Sequence, residues 1–106
     1  MTFNEALEES MTRVKDRDRL KGHESIYNEM LAEYHRYIET ENVNSEISKK
    51  MVKDIDNYFV TIINPLRAKI VESRHKHDEF WKTLNYQERI NFRNRIFKMV
   101  QNFYDI

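Results

Sequence analysis

The chain of 106 residues contains no cysteine, one glycine and one proline. The lack of cysteine excludes disulfides, thiolate metal sites and cysteine nucleophiles. A single glycine and a single proline leave little with which to build phosphate-binding loops or tight hairpins. No apolar run approaches the roughly 18 residues that a membrane span needs. The first ten residues are acidic and lack the apolar core of a secretory signal. We therefore expect a cytoplasmic protein that does not enter the membrane.

Neither sign of charge is in excess, because 18 Lys and Arg residues balance 18 Asp and Glu residues. A wholly basic nucleic-acid protein and an acidic nucleic-acid mimic are therefore excluded at the level of total charge. The charge is nevertheless unevenly distributed. Residues 1–46 carry 11 acidic and 6 basic side chains, and residues 47–106 carry 7 acidic and 12 basic ones. The two halves should attract each other, within one chain or between two chains.

Apolar residues recur at helical spacing along the whole chain, and no segment alternates with the period of two that strands need. Thr2 and Glu5 form the T-x-x-E pattern of a capping box, and Asn85 and Glu88 form a second such pattern. Gly22 is the predicted end of the first helix. The prediction is a single α-helical domain with helices at about residues 3–20, 24–41, 45–82 and 86–104.

The dipeptide Asn64-Pro65 allows two interpretations of the third predicted helix. Asn64 could cap a new helix that has Pro65 at its first position, or Pro65 could kink one continuous helix. The apolar stripe keeps its phase across Pro65, which favours the continuous helix. At 1.5 Å per residue that helix would be about 57 Å long, whereas a compact chain of this length is about 33 Å across. We therefore expect an all-α, elongated four-helix bundle, kinked at Pro65 and dimeric, so that a second chain covers the long helix.

The C-terminal helix has an apolar arc of about 180°, wider than a surface helix usually needs. Arg89 and Arg93 project into the middle of this arc. A buried guanidinium group requires a partner, and the acidic half of the chain offers Glu29 and Glu33. Arginine beside aromatic residues is typical of protein-recognition surfaces. Pairing within the chain, or extension of the arginines past the Phe rings to solvent, is the structural alternative.

The main functional hypothesis is a small, non-enzymatic interaction protein, a regulator of the adaptor or inhibitor type such as phages and mobile elements encode. It would form a homodimer and bind a protein partner through the C-terminal helix. The predicted protein-binding residues are Arg89, Phe92, Arg93, Ile96, Met99 and Phe103.

The alternative hypothesis is a nucleic-acid-binding regulator of transcription or replication. The opposite, polar arc of the last helix is rich in Arg, Asn, Gln and Lys, which are the residue types that contact base edges in a major groove. The preceding helix, the short turn and the capped last helix together resemble the end of a helix-turn-helix. The predicted nucleic-acid-binding residues are Lys82, Gln87, Asn91, Asn94, Arg95 and Lys98.

Metal and catalytic chemistry have little basis in the sequence. Glu72 and His75 have the E-x-x-H spacing of di-iron bundles, but those sites need two such motifs and two further Glu residues. His75 and His77 lie about 200° apart on a helix, which prevents joint chelation. We predict no metal, no cofactor and no catalytic residue.

Overall fold

A computed structural model describes residues 1–105, and the chain belongs to the all-α class. Helix α1 is Phe3–Ile38, α2 is Ser45–Tyr58, α3 is Asn64–Lys82 and α4 is Tyr86–Tyr104. A π-helical turn, Phe59–Ile63, joins α2 to α3 without interruption. Residues 1–105 therefore form three continuous helices and no strand.

The predicted stop at Gly22 is wrong, because α1 is one helix of 36 residues. Gly22 does not adopt the positive φ of a glycine that ends a helix. A glycine inside a helix costs only about 1 kcal/mol relative to alanine. Leu20, Lys21 and Glu24 around it favour helix, so the chain continues through the glycine. The first two predicted helices are thus one element, and the four-helix count is corrected to three.

Both predicted capping boxes are present. The Glu5 backbone N–H donates to Thr2 Oγ1 at 3.1 Å, and the Thr2 N–H donates to the Glu5 carboxylate at 3.4 Å. The pKa of the Glu5 carboxyl is lowered, because hydrogen bonding to the Thr2 side chain and to the Thr2 backbone N–H favours its charged form. At the start of α4, the Glu88 N–H donates to Asn85 Oδ1 at 2.8 Å and the Asn85 N–H donates to Glu88 at 2.9 Å.

The prediction of one continuous helix through Pro65 is confirmed, and its irregular part is the π-helical turn that precedes the proline. The Asn64 N–H donates to the carbonyl of Phe59, five residues back. Proline lacks an N–H, and its ring clashes with the carbonyl four residues before it. A widened turn provides room for this ring within the helix. Thr61 donates its hydroxyl to the Asn57 carbonyl at 2.7 Å in the same segment.

The chain divides into two compact units, which are described separately. The terminal unit consists of Met1–Asp18 and the described residues from Lys69 onward, and the hairpin unit is Arg19–Ala68. The organisation as a single domain stays a prediction. None of the helices within residues 1–105 is both long enough and apolar enough to cross a membrane.

The terminal unit has an aromatic core in which α1, α3 and α4 meet. Its buried members are Ala6, Leu7, Phe80 and Phe92. The Phe92 ring lies 5.5 Å from the rings of Phe3 and Phe80, with the first contact edge-to-face. Such contacts add to the free energy gained by burying the rings. This core fixes which face of α4 is turned inward.

The hairpin unit pairs the second half of α1 with α2 and the π-helical turn. Tyr27 contacts Phe59 with ring centroids 5.6 Å apart, and His23 Nδ1 forms a hydrogen bond with the Tyr58 hydroxyl at 2.7 Å. In the connecting turn, the side chain of Asn44 caps α2, and the Asn44 N–H donates to the Tyr37 hydroxyl at 2.9 Å. These contacts hold the two helical segments side by side.

Candidate protein-interaction surface on the C-terminal helix

The inner face of α4 is occupied by residues that the sequence placed in an interface. Phe92 is only 2% exposed and contacts the rings of four residues, namely Phe3, His77, Phe80 and Trp81. Ile96 and Met99 are half-buried against the same core. In this structure Phe92 therefore anchors α4 on the core, and its role in binding a partner stays a prediction.

Arg89 and Arg93 both lie over the indole ring of Trp81. Each guanidinium carbon is 5.2 Å from the ring centroid, and Arg89 Nε also donates to the Trp81 carbonyl oxygen at 3.3 Å. Neither arginine forms an ion pair with a carboxylate of residues 1–105. A carboxylate partner was predicted for buried arginines, but Arg93 is exposed and Arg89 is half-buried. The contact that both make is the cation–π interaction with Trp81. Trp81 was not among the predicted site residues, because the apolar pattern of α4 does not reveal a contact with α3.

The outer face of α4 exposes aromatic side chains, and Phe97 is 69% exposed. Phe103 and Tyr104 both contact residues of α1. The Lys15 ammonium lies 5.5 Å from the Phe103 ring centroid, and the Tyr104 hydroxyl donates to Asp18 at 2.7 Å. That hydrogen bond raises the pKa of Tyr104, because it stabilises the neutral phenol beside a carboxylate. Phe97 was not among the predicted contact residues, although the width of the apolar arc was the signal for it.

A groove of about 690 Å³ lies between α1, α3 and α4, beside Phe97. The apolar side chains that line it are Trp81, Phe92, Ile96, Phe97 and Val100. The polar and charged side chains include Arg13, His77, Asp78 and Arg93. Clefts of this size that combine apolar walls with a few polar groups are typical binding sites. The contact surface consists of this groove together with Trp81 of α3 and Arg89, Arg93, Ile96 and Phe97 of α4.

Arg13 adds a third cation to this surface. Its guanidinium donates to the Ser73 carbonyl at 3.2 Å and to Ser73 Oγ at 3.3 Å. Burial lowers the pKa of Arg13, and the positive charge of Arg17 lowers it further. An arginine nevertheless stays charged at any physiological pH. Ser10, which also lines the groove, is buried, and its Oγ has no hydrogen-bond partner among the described residues.

The six residues of the nucleic-acid alternative are exposed along α4 and at the end of α3. Gln87 donates to Asn91 at 3.2 Å, Lys82 forms an ion pair with Glu79 at 3.3 Å, and Asn94 lines the groove. Arg95 and Lys98 are exposed cations. The structure thus leaves two cations on the polar arc that no acidic side chain within residues 1–105 neutralises.

The histidine and carboxylate patterns do not converge on a metal site. No group of three or more His, Asp or Glu side chains within residues 1–105 could hold a metal ion. Glu72 pairs with Lys76 at 3.8 Å. His77 stacks on Trp81 with centroids 5.9 Å apart, and its Nδ1 lies 3.4 Å from Asp78.

No known family, curated protein or solved structure matches this chain. Its function is therefore inferred from its own residues.

Proposed function

We propose that this chain is a small, non-enzymatic interaction protein, an adaptor or inhibitor, that binds another protein through the contact surface on α4. A cytoplasmic location and a homodimeric state belong to the same proposal, with a second copy of the chain as the first partner. The observation that carries it is Phe97, a large apolar side chain that is 69% exposed beside two arginines over Trp81.

The composition of the surface supports binding to protein. Covering an exposed Phe side chain contributes about 1.5–3 kcal/mol, and the groove beside Phe97 could accept an apolar side chain of a partner. Trp and Arg are the residues most enriched among those that dominate binding energy. Arg89 and Arg93 are already oriented by the Trp81 ring, so less side-chain entropy is lost when a partner binds. Phe92, packed in the core, supports this surface from below and lines part of the groove.

Site-specific photo-crosslinking in the source cells tests the proposal. A photoreactive phenylalanine analogue replaces Phe97, and a matched variant carries it at Asn91, which lies on the polar arc of the same helix. We expect protein adducts from position 97, with the chain itself or with another protein, and few from position 91. The absence of adducts from position 97, or equal yields from both positions, would refute the proposal.

The nucleic-acid alternative has less support. Lys82 is paired with Glu79, which leaves Arg95 and Lys98 as the cations available for phosphate on the polar arc of α4. Phosphate contacts supply most of the affinity in nucleic-acid binding, and two cations supply little of it.

A further inference from the structure

Arg89 and Arg93 form a pair of like charges to which no carboxylate of residues 1–105 is ion-paired. Both guanidinium carbons lie 5.2 Å from the centroid of one ring, so two positive groups share a small region of surface. No carboxylate of residues 1–105 forms an ion pair with them. A site of this kind favours a ligand with two carboxylates, since each would relieve the repulsion and form charge-assisted hydrogen bonds.

The hairpin unit carries a matching pair of carboxylates. Glu29 and Glu33 are exposed on α1, and neither forms an ion pair with a residue of the described part of the chain. Ile26, which is 47% exposed, precedes them on the same flank of the helix. At about 100° per residue, the three side chains fall within about 60° of one another. They form an acidic stripe, defined as Ile26, Glu29 and Glu33, that ends in an exposed aliphatic residue.

The spacings of the two sets agree when the helices run in opposite directions. Arg89 and Arg93 are four residues apart, as are Glu33 and Glu29, and this spacing gives about 6 Å along each helix. With Glu33 opposite Arg89 and Glu29 opposite Arg93, Ile26 lies opposite Ile96 and Phe97. An antiparallel alignment thus satisfies both charges and covers the exposed Phe97 in one register.

The parallel alignment is less favourable. With Glu29 opposite Arg89 and Glu33 opposite Arg93, the residue that follows on the exposed flank of α1 is Arg36. Its positive charge would then lie opposite Ile96 and Phe97, where the antiparallel alignment places the aliphatic Ile26. A charge that is desolvated against apolar side chains without an opposite charge opposes association. The sequence of α1 therefore selects the antiparallel direction.

We propose that the partner of the contact surface is a second copy of this chain, whose acidic stripe lies antiparallel on α4 with Glu29 and Glu33 paired to Arg93 and Arg89. This inference rests on the proposed function of α4 as a protein-binding surface. It also assigns a role to the excess of acid in the first half of the sequence and of base in the second.

Charge reversal and mixing test the pairing, with association measured by sedimentation velocity. The variants E29R/E33R and R89E/R93E should each weaken self-association by about 100-fold or more, because like charges then face each other. An equimolar mixture of the two variants should associate again. In the mixed dimer, the arginines of E29R/E33R face the glutamates of R89E/R93E at both contacts. The control E39R/E41R changes the net charge by the same amount as E29R/E33R, lies outside the stripe, and should associate as the wild type does.

Three outcomes would overturn the inference. The first is a wild-type chain that remains monomeric, and the second is a mixture of the two variants that does not associate. The third is self-association that recovers only when all four reversals are in one chain, which would indicate pairing within the chain. Trp81, the single tryptophan, gives a second measurement that leaves the arginines unchanged. Its emission should depend on protein concentration in the wild type and not in E29R/E33R.

The tests separate this inference from the proposed function. If position 97 crosslinks to a different protein while the purified chain stays monomeric, the function of α4 stands and pairing between copies is wrong. If position 97 forms no adduct in cells, the proposed function itself fails.

Discussion

Replacing Phe92 with alanine should destabilise the terminal unit far more than the same change at Phe97, five residues later on α4. Phe92 is 2% exposed and its ring contacts Phe3 and Phe80 at 5.5 Å, whereas Phe97 is 69% exposed. The substitution at position 92 removes a buried ring and leaves a cavity in the core. The substitution at position 97 removes a side chain that is mostly in water.

The size of the effect follows from the burial. A buried Phe→Ala change costs about 3–5 kcal/mol, and a protein of this size has a total stability of about 5–15 kcal/mol. The melting temperature should fall by roughly 12–40 °C, at about 4–8 °C for each kcal/mol. Phe97→Ala should change stability by about 0.5 kcal/mol or less, as surface substitutions usually do.

Thermal and urea denaturation, followed by far-ultraviolet circular dichroism, measure both variants. Low protein concentration is used, because association stabilises the folded state by mass action. Equal destabilisation by the two substitutions, or a larger effect at position 97, would refute the assignment of Phe92 to the core and of Phe97 to the surface.

Three further predictions concern α1, the end of α4 and the polar arc. Gly22→Ala should stabilise the chain by about 0.5–1 kcal/mol in the same denaturation assay, since a Cβ there meets nothing within 4 Å and the residue is inside a helix; destabilisation would contradict the continuous α1. The Tyr104–Asp18 hydrogen bond should stabilise the chain fully below pH about 10, the ordinary pKa of tyrosine, and this stability should be lost as pH rises through the raised pKa. Tyr104→Phe should lack that part of the alkaline loss in a pH titration of stability, and an unchanged titration would count against the bond. In fluorescence anisotropy, duplex and single-stranded probes should bind weakly at physiological salt. Micromolar binding that falls steeply with salt and is lost on replacing Arg95 and Lys98 with alanine would favour the nucleic-acid alternative.

Local signals in the sequence predicted much of the fold. The absence of a period-two pattern predicted an all-α chain, and both capping boxes marked helix starts that the structure confirms. The preserved apolar phase across Pro65 predicted a continuous helix. The π-helical turn before the proline could not be predicted, because it depends on how the backbone of Phe59–Ile63 rearranges around the ring.

What the sequence did not predict depends on patterns that are weak evidence when taken singly. A lone glycine predicts a helix end only when the backbone adopts positive φ, and Gly22 does not. Phe92 and Phe97 lie on one broad apolar arc, so the pattern could not show which of them faces the core. Tertiary packing against Phe3 and Phe80 decides it. Helical periodicity likewise carries no information on the stacking of Arg89 and Arg93 over Trp81, a contact with another helix.

Sedimentation equilibrium of the wild-type chain and of Phe97→Ser, across a range of protein concentrations, tests most directly whether α4 carries a self-association surface. We predict that the mass of the wild type rises with concentration from 13.1 kDa towards that of two chains. The Phe97→Ser variant should keep its helix content and remain at the mass of one chain. Identical masses for the two proteins at every concentration would contradict this account.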